Sequence, residues 1–462
     1  MDAPPRSEQQ PAPLESLSPA TGERLGTVER TSADDVAAAV RGAAAVQPLW
    51  AQLRLADRAR YMTRAAQAVI DEFDEITELI CREQGRPRAE AELMELLPAV
   101  ETLQWLAQAG PRILAGERIA FSRTQHPIKR GRWSYEPLGV VGVIGSATEP
   151  FATPLGDVAV ALMAGNGVVL KPSPHAPLAG ERIARVLARA GLPEGLLRVV
   201  HGHADAGQAL VNAPVAQVRF TGSAAAGVAV GEACARGLKR SVLELGGRDP
   251  MLVLADADVG RAARGAAWAA FANAGQCGGS VKRAVCMREV HERFLAGAVA
   301  TARARRLGDP LDPSTEIGPL VTSDRCARLR ELVEAAVAEG ATLHCGGPAD
   351  APGGLRGAYF APAVLTGVTP AMRLAREELP GPVLLVERVD SEDEAIARAN
   401  AGDAGLGASI WTADRYKGAR IARELRAGMV WMNDHLVARS APQVPWGGIG
   451  GSGIGRARGA VA

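Results

Sequence analysis

Apolar residues change their spacing near position 139. Before it, residues 33–47, 52–82 and 89–109 repeat apolar positions at helical intervals, which predicts three helical stretches. Asp34 and Asp35 open the first, where carboxylates suit the positive end of the helix dipole, and leucines at 93, 96, 97 and 103 stripe the third. Residues 116–137 are polar, carry an arginine-lysine cluster, and alternate Trp133 with Tyr135, as a hairpin or an exposed pair of strands does.

From Gly139 onward, short apolar runs alternate with amphipathic stretches. Strands are predicted at 140–144, 168–170, 197–200 and 215–220, with helices at 153–164, 178–190 and from 225. A second series follows, with helices at 260–273, 289–306, 323–339 and 391–400 and strands at 281–286, 383–386 and 408–411. Alternation at this spacing predicts an α/β protein with mostly parallel sheets, right-handed connections and helices on the sheet faces.

Composition narrows the class. A chain of 462 residues exceeds what one core normally serves, so two or three domains are expected. Its 52 basic and 51 acidic residues leave a formal charge of +1, which gives no electrostatic case for nucleic acid or an anionic membrane as partner. Six scattered cysteines without a C-x-x-C pair fit a reducing compartment. The opening MDAPPRSEQQPAP is polar and proline-rich, unlike a signal peptide, and no apolar run reaches 18 residues, so a cytoplasmic location is expected. Seven histidines show no metal-site spacing, and His201 and His203 read as part of a strand-end loop.

Two segments carry candidate chemistry. One is Leu243-Glu244-Leu245-Gly246-Gly247. The other runs Phe271-Ala272-Asn273-Ala274-Gly275-Gln276-Cys277-Gly278-Gly279-Ser280-Val281-Lys282-Arg283. Together they resemble the active-site signatures of the aldehyde dehydrogenase superfamily, and further motifs match in order from Pro19 to Gly459. The resemblance implies two Rossmann-like parallel-sheet domains plus a β-hairpin oligomerisation arm. Residues 1–17 would form a flexible N-terminal tail, 18–115 with 138–246 an NAD(P)-binding domain, and 116–137 the arm. Residues 247–440 would form the catalytic-type domain, and 441–462 a shortened glycine-rich C-terminal segment, with a homodimer as the candidate assembly.

For the cofactor, the resemblance implies NAD or NADP. Lys171 and Ser173, in Val169-Leu170-Lys171-Pro172-Ser173, match the segment whose lysine reaches the adenosine ribose; a solvent-facing strand-end lysine is the plainer reading. Gly222 and Ser223 match the loop facing the pyrophosphate, where a helix start offers backbone N–H groups; ordinary capping by Thr221 or Ser223 is compatible with that role. Glu378 matches the carboxylate that holds the nicotinamide ribose. The place of the glutamate common in NAD-selective relatives is Pro174, beside His175, so the preference for NAD over NADP is slight.

For catalysis, the resemblance implies a cysteine nucleophile in the pattern Gly-Gln-x-Cys, with an arginine five residues later. Counting on from Gln276 and back from Arg283 both reach Gly278, one residue beyond Cys277. Glu244 matches the general base and stands 34 residues before that position. Thr148 occupies the place of the oxyanion-holding asparagine, followed by Glu149 in place of an aromatic residue. Asp157 and Ala457 stand where the family has a lysine–glutamate pair, Pro380 where it has a phenylalanine, and Gly450 where it has a lysine. Trp446 keeps an aromatic ring in the substrate region, and Asn433 matches a family asparagine read as structural.

Cys277 could serve only if the Gly278-Gly279 pair turned it inward; a buried inert thiol is the competing reading. Three functions follow from the resemblance. The first is an NAD(P)-dependent oxidoreductase acting on an aldehyde by an altered mechanism. The second is a catalytically inactive nucleotide-binding pseudoenzyme or scaffold of the same fold, and the third an oligomeric structural protein without nucleotide.

Overall fold

The computed structural model describes residues 12–122, 124–126, 128–436 and 441–462. Two sheets organise the chain. The first runs, edge to edge, through Gly453–Ile454, Arg240–Leu245, Gln217–Gly222, Val140–Ile144, Gly167–Lys171 and Leu197–Val199. Its five internal-chain strands are parallel, and only the C-terminal strand Gly453–Ile454 is antiparallel, lying against Leu243 and Glu244. Val140–Ile144 and Gly167–Lys171 are buried at every position. Helices on both faces explain these continuous apolar runs, which a half-exposed strand would break by alternation.

The second sheet has seven strands in the order Thr342–Ala349, Tyr359–Thr366, Val383–Val389, Val281–Met287, Asp249–Val253, Gly407–Trp411 and Met429–Met432. All neighbours are parallel except the first pair. Its core joins Val281, Val285, Leu384 and Ile410 to the helix Val259–Phe271. The chain passes from one sheet to the other through Gly246-Gly247-Arg248, between Leu245 and Asp249. Among the described residues, no helix is long and apolar enough to cross a membrane.

Several local expectations need correction. The stretch 52–82 is two helices, Leu55–Asp71 and Phe73–Gln84. Buried Glu72 sits at the joint, where Arg182 reaches it at 2.6 Å and Arg189 also pairs with it. The stretch 89–109 is broken by a π-turn at Glu92–Leu96. A helix at Ala204–Asn212 was not read from the sequence. Among the described residues of 116–137, Glu117–Ile119 and Gly131–Trp133 pair as an antiparallel hairpin, and Tyr135 lies beyond them.

Of the flexible tail expected over 1–17, residues 1–11 lie outside the described residues, and Leu14–Leu17 is instead a strand that pairs antiparallel with Arg24–Val28. Glu83 ties this hairpin down. It accepts from Ser16 Oγ at 2.6 Å and from the Leu178 and Ala179 amides at 2.9 and 2.8 Å, at the start of the helix Pro177–Arg189. Burial pushes its carboxyl from 4.5 up to about 7, against those three hydrogen bonds. Glu90 is raised to about 7 by burial too.

A carboxyl raised on folding contributes stability that is complete below its unfolded value and lost as pH rises through the folded one. Melting temperature should therefore fall between pH 4.5 and 7, and Glu83→Gln should flatten that fall by roughly half, because Glu90 continues to titrate. Identical slopes for Glu83→Gln and wild type in a pH series of thermal melts would refute the assignment.

Candidate active site

A cavity of about 440 Å³ opens where the C-terminal ends of the first sheet meet the second. Thr148, Gly222, Ser223, Glu244, Cys277, Gly278 and Glu378 all line it. Lys171 and Ser173 do not; they lie at the end of the strand Gly167–Lys171 and just beyond it.

Glu244 is buried on the strand Arg240–Leu245, between Thr221 on one neighbouring strand and Gly453 on the other. That neighbour must be glycine: a Cβ at Gly453, where φ is 127°, would stand 1.9 Å from the Leu243 carbonyl oxygen. The glycine-rich C-terminal segment thus closes tightly over the carboxylate's strand.

The loop after the helix Val259–Phe271 takes an uncommon path. Asn273, Ala274 and Gly275 follow one another with φ of 54°, 49° and 70°. A non-glycine residue pays roughly 1–2 kcal/mol for such a conformation, so other contacts must hold it. Asn273 donates its amide to Glu90 Oε2 at 2.7 Å. Lys282 Nζ donates to the Gly275 and Gly381 carbonyls at 2.7 and 2.9 Å, and burial lowers this ammonium to about 8. Gln276 accepts from the Val321 amide at 3.0 Å and from Arg325 at 3.3 Å. His435 Nε2 donates to the Gly279 carbonyl at 2.9 Å and lies 3.7 Å from buried Asp249.

Cys277 is buried at the cavity wall. Its Sγ donates to the Ala272 carbonyl at 3.6 Å, and the residue packs with Met94 and Ala272. Gly278 differs. A Cβ built there meets no atom within 4 Å, and its φ is outside the left-handed region.

The opposing loop carries Thr148. Its Oγ1 donates to Glu149 Oε2 at 2.9 Å and lies 3.0 Å from Ser146 Oγ. The hydroxyl has a single hydrogen, which in this arrangement is directed at Glu149. The Thr148 carbonyl accepts from Gln84, Arg86 and Asn273 at 3.0, 2.5 and 3.2 Å.

Behind Glu244, a cavity of about 20 Å³ is lined by Glu244, Asp157, Thr102 and Thr153. That is room for one water among polar partners. Asp157 is held by Arg219 Nε at 2.7 Å, with both side chains buried. Sequence reading singled out Asp157 but missed Arg219, as it missed Asn273, Lys282, Arg325 and His435. A charged residue inside the otherwise apolar strand run 215–220 was the available signal for Arg219.

On the nucleotide side, the helix Ala224–Arg236 is capped by Ser223, which accepts from the Ala226 amide. Its first turn is exposed, and three alanines leave its backbone approachable. A Cβ at Gly222 would meet the Phe220 ring at 2.5 Å, so a larger residue there would have to displace that ring. An anionic group fits this helix start. Glu378 is exposed on the cavity wall, with Oε1 3.3 Å from where a Gly246 Cβ would be. Lys171 Nζ donates to the Pro172 carbonyl at 3.0 Å; burial lowers it to about 8, with Asp205 pulling the other way. Ser173 Oγ accepts from the His175 amide at 3.2 Å. His175 is held below its ordinary value by burial and then by the charges of Arg325, His203 and Lys171. Asn433 bridges both backbone groups of Thr412, at 3.0 and 2.8 Å.

Comparison with known proteins agrees with this architecture. The model of the aldehyde dehydrogenase family matches residues 6–462. A betaine aldehyde dehydrogenase of Cereibacter sphaeroides is 36% identical, over 100% of this chain and 94% of that protein. One from Agrobacterium fabrum is 37% identical, over 97% and 90%. Among solved structures, a Mycobacterium tuberculosis aldehyde dehydrogenase complexed with NAD+ superposes with a TM-score of 0.92 at 34% identity, covering 99% of this chain and 93% of that one. An E. coli NADP-dependent enzyme gives 0.92 at 32%, covering 97% and 92%. A family model over nearly the whole chain and relatives above 30% identity along its length show that the chain belongs to the aldehyde dehydrogenase family.

Proposed function

We propose that this protein is a nicotinamide-dinucleotide-dependent oxidoreductase that acts on a hydrated aldehyde without a protein thiol. One observation carries the reading: Glu244, Glu378 and the Ser223 helix start share a single cavity, while position 278 offers open space and Cys277 points to the Ala272 carbonyl.

The bound dinucleotide supplies the hydride acceptor. The first-turn amides after Ser223 would hold its pyrophosphate, Glu378 would accept from ribose hydroxyls, and Lys171 would hold the adenosine ribose. Glu244 takes the proton from a hydroxyl of the hydrate as the carbon loses its hydride, and the small cavity behind it leads that proton toward Asp157. The hydrate already carries both oxygens of the product acid, so no thioester has to form or be hydrolysed. The cost is the covalent step, and turnover should be slow. NAD is the first choice of nucleotide. NADP is the second reading, favoured by the cationic corner of Lys171, Arg325 and His203 around His175, which suits a 2′-phosphate.

A catalytically silent nucleotide-binding protein is the other reading. What favours it is Thr148, whose hydroxyl hydrogen is directed at Glu149 in this arrangement.

Absorbance at 340 nm with an aldehyde panel separates the readings. Wild type should reduce NAD or NADP, Glu244→Gln should lose about 10²–10⁴-fold, and Cys277→Ala should stay within about twofold of wild type. A Cys277→Ala variant as impaired as Glu244→Gln would restore the thiol mechanism. No turnover by folded, nucleotide-binding wild type would favour the silent reading. Gly278→Cys should fold, because the new side chain meets open space, and should gain at least about tenfold in rate together with sensitivity to iodoacetamide. An unreactive thiol at 278 would show that the position does not face the reaction.

A further inference from the structure

A second cavity, of about 500 Å³, shares Gly246, Gly247 and Glu378 with the first. Glycine and alanine make up much of its wall, so a few long side chains set its chemistry. Four are arginines: Arg248, Arg283, Arg376 and Arg398. Against them stand the carboxylates Glu378, Glu387 and Asp403.

The arginines are unevenly matched. Arg398 lies 4.0 Å from Glu387 and 3.6 Å from Glu394. Arg248 and Arg283 have no carboxylate within ion-pair distance among the described residues, and donate only to carbonyls. Arg248 Nη2 reaches Leu374 O at 2.9 Å; Arg283 reaches Arg398 O at 2.9 Å and Ala399 O at 3.2 Å. Nε and Nη1 of Arg248 are buried and have no hydrogen-bond partner. Burial, then repulsion from Arg283, lowers the Arg248 guanidinium to about 10 against the pull of Glu387, and burial lowers Arg283 against the more distant Glu387 and Asp249. Buried charge is ordinarily paired, because an uncompensated ion costs several kcal/mol. Arg376 stands exposed on the same cavity, without an ion pair among the described residues.

We infer that this cavity is a binding site for an oxyanion, a carboxylate or phosphoryl group on a small molecule, held by Arg248 and Arg283 with Arg376 at its edge. Guanidinium forks suit such groups because two parallel N–H donors meet two oxygens. A small turn of the Arg248 side chain brings its unpartnered donors to the ligand. The shared wall gives the site a consequence: an anion here is felt at Glu378 and at the Gly246-Gly247 turn, next to Glu244. Anion and dinucleotide therefore alter each other's affinity by the same factor.

The test is calorimetric titration of the full chain with inorganic phosphate and, separately, succinate, at constant ionic strength and without nucleotide. At least one probe should saturate a single site. Saturation by phosphate alone assigns a phosphoryl ligand, and by succinate alone a carboxylate ligand. Arg248→Gln should weaken binding at least tenfold and Arg376→Gln severalfold, while Arg415→Gln, on the helix Arg415–Ala422 and away from the cavity, should leave it unchanged. Because Arg376 is exposed, its variant keeps the test open if Arg248→Gln fails to fold. Three results overturn the proposal. One is that neither probe saturates. Another is that every folded variant among Arg248→Gln and Arg376→Gln binds as wild type does. The third is that rising NAD raises the apparent Kd without limit, which would put the anion in the nucleotide's own site. A shift that levels off supports a separate, coupled site.

Discussion

One carbonyl oxygen holds the two active-site loops together. Thr148 O, on the loop after the strand Val140–Ile144, accepts from Gln84, Arg86 and Asn273. Gln84 also donates to Asn273 Oδ1 at 3.2 Å. Arg86 and Glu95 form an ion pair at 3.3 Å with no exposure on either side, and Glu95 accepts from the Phe151 and Ala152 amides at the start of the helix Ala152–Met163. Residues 84–95 therefore reach one loop of each sheet. Removing one partner of such a buried pair costs about 3–5 kcal/mol. The left-handed path at 273–275 persists because this network over-determines it. The π-turn at Glu92–Leu96 belongs to the same device, as single π-turns often mark functional segments.

Two of the charged groups near Glu244 are held by close partners, and a buried charge without one costs stability. Here Asp157 has Arg219 at 2.7 Å, and the new carboxylate Glu149 has the Thr148 hydroxyl at 2.9 Å. The lysine–glutamate pair implied by family resemblance has given way to a carboxylate and an arginine on a different strand. Arg219 offsets the charge of Asp157, and Arg458 lines the same small cavity as Asp157 and Glu244.

How much the sequence tells depends on the range of the interaction. The strand Val140–Ile144 was legible because burial on both faces writes a continuous apolar run. The joint at Glu72 was not, because its partners Arg182 and Arg189 come from a helix over a hundred residues away. Leu14–Leu17 looked like a tail for a similar reason: its anchor, Glu83, lies 67 residues on from Ser16. At the site, Glu244, Glu378 and Gly278 were singled out through the family resemblance, and all three line one cavity. Arg219, 62 residues from Asp157, carried no local signature beyond a charge in an apolar strand. Lys282 and Asn273 act by fixing a backbone path, and spacing encodes the residues on such a path but not the contacts that hold it.

The glycines around the reaction centre differ in what they require. Gly275 has φ of 70°, and a Cβ there would stand 2.3 Å from the Gly381 carbonyl oxygen. Gly453 is still tighter, at 1.9 Å from Leu243 O. Neither position accepts another residue without moving backbone. Gly278 has neither constraint: its φ is outside the left-handed region and the space beyond its Cα is open. The fold therefore does not demand glycine at 278, and the loop would hold its path with a side chain there, since Lys282, Gln276 and His435 fix it from outside. What the missing side chain changes is the cavity. It leaves open space beside the loop, on a cavity that Glu244 also lines.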